Sequence, residues 1–343
     1  MGQYLSSPST EKKSAKGEDE RLFWGLSSMQ GWRVSMEDAH AAVLDLQEDA
    51  TKTSAPELRV SFFGVYDGHC GAEVAAYSGD NVHRIVATQA AFRAGNYAQA
   101  LKDGFLATDQ AILQDANYQR EGSGCTASVA LIDHSNNKIY VANAGDSRTV
   151  LGIKGRAKPL SKDHTTYDAA EEARIAAAGG FVRSGRVNGR LAPSRAIGDF
   201  EFKNNAELPP EQQVMTAFPD VTEHAITPDD EFLVLACDGI WDCQSSQRVI
   251  EFVRRRVVER QSLDKICENL MNQCLFNGYE PGNYGSDNMT MIIVGLLNGK
   301  SQDEWYDMIA QRVAEGDGPC APPEFGKFIH SLYVHMTAFR ESS

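Results

Sequence analysis

Apolar residues along this chain gather into two kinds of pattern, and the two kinds keep to different stretches. Residues 58–66, 126–132, 138–142, 148–153, 231–237 and 289–297 are short runs rich in β-branched and aromatic side chains, which predicts strands. A further strand-like stretch starts at Leu22, where Trp24, Leu26, Met29, Trp32 and Val34 stand among small and polar residues. Residues 72–88 instead space Val74, Ala75, Val82, Ile85 and Val86 as a helix does, and 97–113, 169–178, 248–259 and 262–275 behave alike. Gly179-Gly180 stops the helix over 169–178. Strands fall in consecutive groups and helices in others. The pattern therefore predicts an α+β fold, antiparallel sheets with helical layers outside, over a regular βαβ array.

The two ends read differently from the middle. Residues 1–20, including Ser6-Ser7-Pro8-Ser9-Thr10-Glu11-Lys12-Lys13, are polar and predict a flexible arm. Past Asn298-Gly299, residues 302–314 predict a separate amphipathic helix, followed by a loop at Pro319, Pro322 and Pro323 and a last segment over 325–339. The reading is thus an arm over 1–20, a main domain over 21–297 and a C-terminal helical extension over 298–343.

Charge narrows the partners. Lys plus Arg number 33 against 47 Asp plus Glu, a net charge of −14. Such a surface repels nucleic-acid backbones and anionic headgroups, so no nucleic-acid partner is expected. A protein this acidic can take a phosphate group only where arginine or metal ions are concentrated. The seven cysteines are scattered, without a C-x-x-C pair or zinc spacing, and read as free thiols of a reducing compartment. No apolar run reaches the ~18 residues of a membrane span, and no secretory leader is legible. A cytoplasmic location follows, with the nucleus open to the chain.

Several acids stand at the ends of predicted strands. Asp67 ends the run Ser61-Phe62-Phe63-Gly64-Val65-Tyr66, Asp238 ends Phe232-Leu233-Val234-Leu235-Ala236-Cys237, and Asp146 follows Ile139-Tyr140-Val141-Ala142. Asp287 instead precedes Met289-Thr290-Met291-Ile292. In an antiparallel sheet the end of one strand lies beside the start of its neighbour, so all four can meet on one edge. Four gathered carboxylates repel unless cations neutralise them. Oxygen ligands select hard ions, Mg²⁺ or Mn²⁺. Two such ions ~3.5–4 Å apart can share a bridging hydroxide and orient a phosphoester for in-line attack. His69, two residues past Asp67, can give a proton to the leaving oxygen. Arg33, in Gly31-Trp32-Arg33-Val34-Ser35-Met36-Glu37-Asp38, offers a planar fork for phosphate. The bland reading of any one Asp-Gly is a turn; four acids on converging strands favour a metal site.

The stretches Met29-Gln30-Gly31-Trp32-Arg33, Met36-Glu37-Asp38, Tyr66-Asp67-Gly68-His69 and Gly122-Ser123-Gly124-Cys125-Thr126-Ala127 resemble the protein phosphatase type 2C family in order and spacing. So do Ala144-Gly145-Asp146-Ser147-Arg148, Ser194-Arg195-Ala196-Ile197-Gly198-Asp199, Ala236-Cys237-Asp238-Gly239-Ile240-Trp241-Asp242 and Ser286-Asp287-Asn288-Met289-Thr290. The resemblance, to alpha-like animal and fungal members, implies a serine/threonine phosphatase. Its fold would be a β-sandwich of two antiparallel sheets flanked by helices. It further implies that Asp67 bridges two Mg²⁺ or Mn²⁺ ions and that Asp238 and Asp287 complete one of them. The Gly68 carbonyl and Glu37, through water, would hold the other. Asp146 with Asp238 would take a weaker third ion, and Asp38 would stand behind the ligands. His69 would be the general acid and Arg33 the phosphate clamp, while Asp199 and Asp242 would be structural.

The family's flap corresponds to about 168–191, where Arg174, Arg183, Arg186 and Arg190 could attract an acidic or phosphorylated peptide. Pro193, Thr165-Thr166 and Cys70 depart from the usual pattern, and Pro193 bears on flap geometry. Substrates implied by analogy are phosphorylated proteins, signalling kinases among them. Met1-Gly2-Gln3-Tyr4-Leu5-Ser6 fits N-myristoylation at Gly2, which would give weak, reversible membrane contact. Two other readings stand beside this one. In a haloacid-dehalogenase-type phosphatase Asp238 would be phosphorylated, although Ile240 occupies the place of its second Asp. A pseudophosphatase would bind phosphopeptides without turnover, although none of Asp67, His69, Asp238 and Asp287 is replaced.

Overall fold

In the computed structural model, which describes residues 4–46, 58–118, 122–277 and 285–323, two antiparallel sheets lie face to face. The first runs in the order β1 (Tyr4–Glu18), β2 (Leu22–Arg33), β16 (Met289–Leu296), β15 (Asp230–Ala236), β9 (Arg148–Ile153), β10 (Arg156–Pro159). The second runs β14 (Asp220–Ala225), β8 (Lys138–Ala144), β7 (Ala127–Asp133), β4 (Val60–Tyr66), β3 (Ala39–Val43). A small sheet of β13 (Ile197–Gly198), β6 (Gly124–Cys125) and β5 (Gly68–His69) and a hairpin of β11 (Val182–Arg183) and β12 (Arg186–Val187) complete the strands.

The apolar runs are continuous because both faces of the central strands are covered. In β15, Leu233 and Leu235 point into the sandwich against Phe63, Val65, Ile292 and Val294. Phe232, Val234 and Ala236 point out toward α6 (Ser246–Val258), α7 (Leu263–Asn277) and α8 (Gln302–Ala314). On the other side Phe62 and Tyr66 of β4 pack beneath α1 (Glu73–Thr88), α2 (Ala90–Arg93) and α3 (Tyr97–Gln114). Each such Phe, Leu or Val contributes about 1.5–3 kcal/mol on burial, and together they fix the strand faces that aim the site. Caps set the helix starts. The Ser245 hydroxyl accepts from the Arg248 amide, so α6 begins two residues before the apolar pattern does. Ser301 and Glu304 form a capping box at α8.

The expected flexible arm is corrected by β1. Residues Tyr4–Glu18 pair with β2, Ala15 opposite Leu26 and Glu18 opposite Phe23, with register shifts on either side of Ser9. Ser14 hydrogen-bonds Ser27 and Glu268. Backbone ladder bonds hold this edge strand, so its polar text carried no apolar signal. The described part of the extension, residues 298–323, is not separate either. Trp305 and Ile309 of α8 are fully buried in the helical layer, and the Trp305 indole donates to the Glu231 carbonyl at 3.0 Å. Arg254 pairs with Glu231, both wholly buried, and donates to the carbonyls of Asp317 and Pro319. Gly2 and residues 325–339 lie outside the described residues.

Residues 168–191 fold as α4 (Ala169–Ala177) and the β11–β12 hairpin around Ile175, Val187, Leu191, Phe202 and Met215. Glu171 is the hub: it accepts from Arg174, Arg195 and the Ser194 hydroxyl. Arg174 also donates to the Gln213, Val214 and Ser194 carbonyls, so it is a structural tie rather than a peptide-facing cation. Pro193 bridges Thr165 across an isolated β-bridge.

Candidate active site

Register brings the acids together. Ala39 pairs with Tyr66, so Asp38 and Asp67, one step further along each strand, face one another. Their carboxylates and the Cys237 thiol offer atoms within 4.8 Å of each other. Ala236 pairs with both Met291 and Arg148, which sets Asp238, Asp287 and Asp146 at that same end of the sandwich. Glycines allow the close approach. A Cβ on Gly68 would stand 2.1 Å from the Glu37 carbonyl oxygen, and one on Gly239 would stand 2.1 Å from that of Asn288. Asn288 staples the segment after β2 to the site, donating to the Gln30 and Ser35 carbonyls and accepting from the Glu37 amide. Glu37 in turn accepts from the Gly71 amide at 3.2 Å and from the Ser35 hydroxyl.

The electrostatics are those of crowding. Burial, then the charges of Asp238, Asp38, Asp287 and Asp146, push the Asp67 carboxyl well above the usual range. Burial with Asp146, Asp287, Asp242 and Asp38 does the same to Asp238. Asp38 is raised to about 7 by burial and by Asp287, against the hydrogen bond from Thr290, whose hydroxyl lies 2.7 Å from Oδ2. Asp146 is raised to about 6 by burial, Asp163 and Asp242. Among the described residues no side-chain hydrogen bond or ion pair engages the carboxylate of Asp67 or Asp238.

These residues fit divalent cations. Asp38 Oδ1 is buried without a hydrogen-bond partner among the described residues, in a carboxyl group that comes within 4.8 Å of that of Asp67. Cys237 is not a rival ligand. Burial and the neighbouring acids keep its thiol protonated, and it accepts from the Thr290 amide at 3.1 Å. What remains is an all-oxygen donor set.

Arg33 lies against the cluster, its Nη2 2.5 Å from Asp287 Oδ2 and its guanidinium beneath the Tyr4 ring. His69 is bonded through Nε2 to Asp199 Oδ2 at 2.7 Å. Burial disfavours its charge, but the Asp199 bond and the charges of Asp199, Asp146 and Glu37 outweigh that and raise its pKa. Asp199, almost fully buried and in the left-handed region at φ 53°, is a residue the sequence reading took as merely structural. Gly124 makes its pairing possible: a Cβ there would lie 2.3 Å from Asp199 Oδ2 and 2.7 Å from His69 Nε2. No local signal in the sequence marks this pairing, since 130 residues of chain separate the two side chains. Asp242, also read as structural, adds its charge to Asp146 and Asp238.

The family model for protein phosphatase 2C matches residues 24–280. Protein phosphatase 2C homolog 2 of Hypocrea jecorina is 64% identical over 328 residues, 96% of this chain and 74% of its own. The Schizosaccharomyces pombe homolog 2 is 57% identical over 328 residues, 95% of this chain and 87% of its own. Among solved structures, a phosphatase from Toxoplasma gondii superposes with a TM-score of 0.70 at 23% identity, over 83% of this chain and 96% of that one, which bears on the fold. With the sandwich, its acidic rim and relatives more than half identical along nearly the whole length, the chain belongs to the protein phosphatase 2C family and is a protein phosphatase.

Proposed function

We propose that the acidic rim hydrolyses phosphoserine and phosphothreonine esters of proteins with the help of two divalent cations, Mg²⁺ or Mn²⁺. The observation that carries this is a crowd of buried carboxylates of which Arg33 engages only Asp287: burial and the charges of the neighbouring acids push Asp67 and Asp238 up, beside an Asp38 oxygen with no hydrogen-bond partner among the described residues. Asp67, Asp238 and Asp287 would hold the cations, with the Gly68 carbonyl and Glu37 on one side. Asp146 with Asp238 would take a weaker third ion, and Asp38 would act from behind. When bound, the cations supply an activated water and screen the phosphate oxygens.

The chain's own groups do the rest. The Arg33 guanidinium carries five N–H donors, one of them spent on Asp287, and the others can grip the non-bridging phosphate oxygens. Asp199 holds His69 Nε2, which leaves Nδ1 to give its proton to the departing serine or threonine oxygen. The exposed Arg183 and Arg186 of the β11–β12 hairpin are offered to an acidic or phosphorylated peptide. Signalling kinases as substrates, a cytoplasmic and nuclear location and a myristoyl group on Gly2 belong to this reading by family analogy.

Purified protein stripped with EDTA should lose turnover of a phosphothreonine peptide and regain it with Mn²⁺ or Mg²⁺. Peptide binding without turnover at saturating metal would instead favour the pseudophosphatase.

A further inference from the structure

The acid rim has two flanks. On one, Asp238 opens α5 (Asp238–Trp241), which packs against β16. On the other, His69 meets Asp199, and behind that contact stands a buried ion pair outside the proposed hydrolysis. Asp109 of α3 pairs with Lys203 at 2.5 Å, both side chains nearly out of water. The second Asp109 oxygen accepts from the Gly198 amide at 2.8 Å. Gly198 and Asp199 are both left-handed, at φ 82° and 53°. An aspartate holds that conformation only where its surroundings impose it. Gly198 has no room for a side chain, since a Cβ would stand 2.6 Å from the Ser123 carbonyl oxygen. We propose that Asp109 is a positioning residue for the hydrolysis: it holds the Gly198 amide and so fixes the turn that presents Asp199 to His69.

The turn is pinned at successive amides. Asp109 takes the Gly198 amide, and the Ser123 carbonyl takes the Asp199 amide at 3.2 Å. Of these two acceptors only Asp109 is charged, and a hydrogen bond to a charged acceptor is roughly twice as strong as a neutral one. Lys203 lets that charge stay buried and closes the same segment, because its Nζ also donates to the Ala196 carbonyl at 2.7 Å. Residues 196–203 are thereby gathered around one carboxylate. The meeting of His69 and Asp199 leaves no tolerance, since Gly124 lies so close that a Cβ there would overlap both side chains. A turn freed at Gly198 would swing Asp199 Oδ2 away from His69 Nε2. His69 would then lose the partner that directs its other nitrogen to the leaving oxygen. A pair that merely tied α3 to this segment would instead set stability and leave the ratio between substrates unchanged.

The hold on the turn stands without the proton-donor reading of His69; only the effect on turnover rests on it. Two variants of the full chain separate positioning from stability. D109L/K203M replaces both buried partners with apolar side chains, which changes stability little, and takes the acceptor from the Gly198 amide. K203M keeps that acceptor but strands its charge, so it should unfold at lower urea. With saturating Mn²⁺, D109L/K203M should slow a phosphothreonine peptide about tenfold and nitrophenyl phosphate less than about twofold. K203M should change neither by more than about twofold. Hydrogen exchange at the Asp199 amide, relative to amides of β4, should quicken about tenfold in D109L/K203M and hold its rate in K203M. D109A/K203M carries the same test if leucine prevents folding. An equal split in both variants, or none in D109L/K203M where H69Q shows one, would overturn the role. If H69Q shows no split, the acid reading falls and exchange decides: an Asp199 amide no faster than in K203M overturns the positioning.

Discussion

Glu171 and Asp67 are both acids withdrawn from bulk water, yet their carboxyl groups are driven in opposite directions. Burial would raise Glu171, but hydrogen bonds and charges from Arg195 and Arg174 outweigh it and hold the group at about 2. Asp67 meets burial and four more acids, and is pushed up. The same residue chemistry thus serves two purposes. Where cations of the chain surround the acid, it fixes the flap; where other acids surround it, the chain keeps an attraction for external cations at a cost in stability. Glu231 under the extension is also ringed by cations, Arg254 and Arg312, but there burial outweighs them and raises the group.

The contrast can be broken from either side. The largest effect belongs to Asp238→Asn, which should cut turnover of a phosphothreonine peptide about a thousandfold or more. In metal-free buffer it should raise stability by about 1 kcal/mol, since one repelling charge is gone. Calorimetry with and without Mn²⁺ measures both signs, and a loss of metal-free stability would show that crowding is not what Asp238 feels. Glu171→Gln should destabilise by about 3 kcal/mol, because the largely buried Arg174 loses its carboxylate partner and Arg195 keeps only Asp220. Urea unfolding of the variant reads this directly.

Acid should act on Glu171 as the substitution does. Its folded pKa, about 2, lies below the ordinary 4.5, so its stabilisation is complete above pH 4.5 and is lost as pH falls toward 2. At 1.36 kcal/mol per unit that is about 3 kcal/mol, and Glu171→Gln should lack this part of the acid slope. The smallest effect sharpens the site. Asp199→Asn should slow the peptide about ten- to a hundredfold and barely touch nitrophenyl phosphate, whose leaving group needs no proton. His69→Gln should show the same split. Equal losses on both substrates would remove His69 from the acid role.

How much was legible depends on burial. The strand over 148–153 and the helix over 302–314 match β9 and α8 to the residue, because packed faces impose an apolar pattern on the text. The edges escaped. β1, β10 and β14 are largely exposed, and a ladder of backbone bonds leaves no mark on side-chain choice. At the site, the strand-end positions of Asp67, Asp146, Asp238 and Asp287 were readable, since each acid abruptly ends or precedes an apolar run. The pairing of His69 with Asp199 was not, because 130 residues of chain separate them.

By itself the sequence determined which buried segments would be strands and helices, which acids stood at their ends, and a family resemblance strong enough to imply the chemistry. Only the tertiary structure decided that Asp38 faces Asp67, that Gly124 gives His69 and Asp199 room to meet, and that Arg174 ties the flap down. The reason is one of range. Side-chain type records whether a position is buried, while partnership across sheets is set by register and by the space a missing Cβ leaves, and neither is written in local composition.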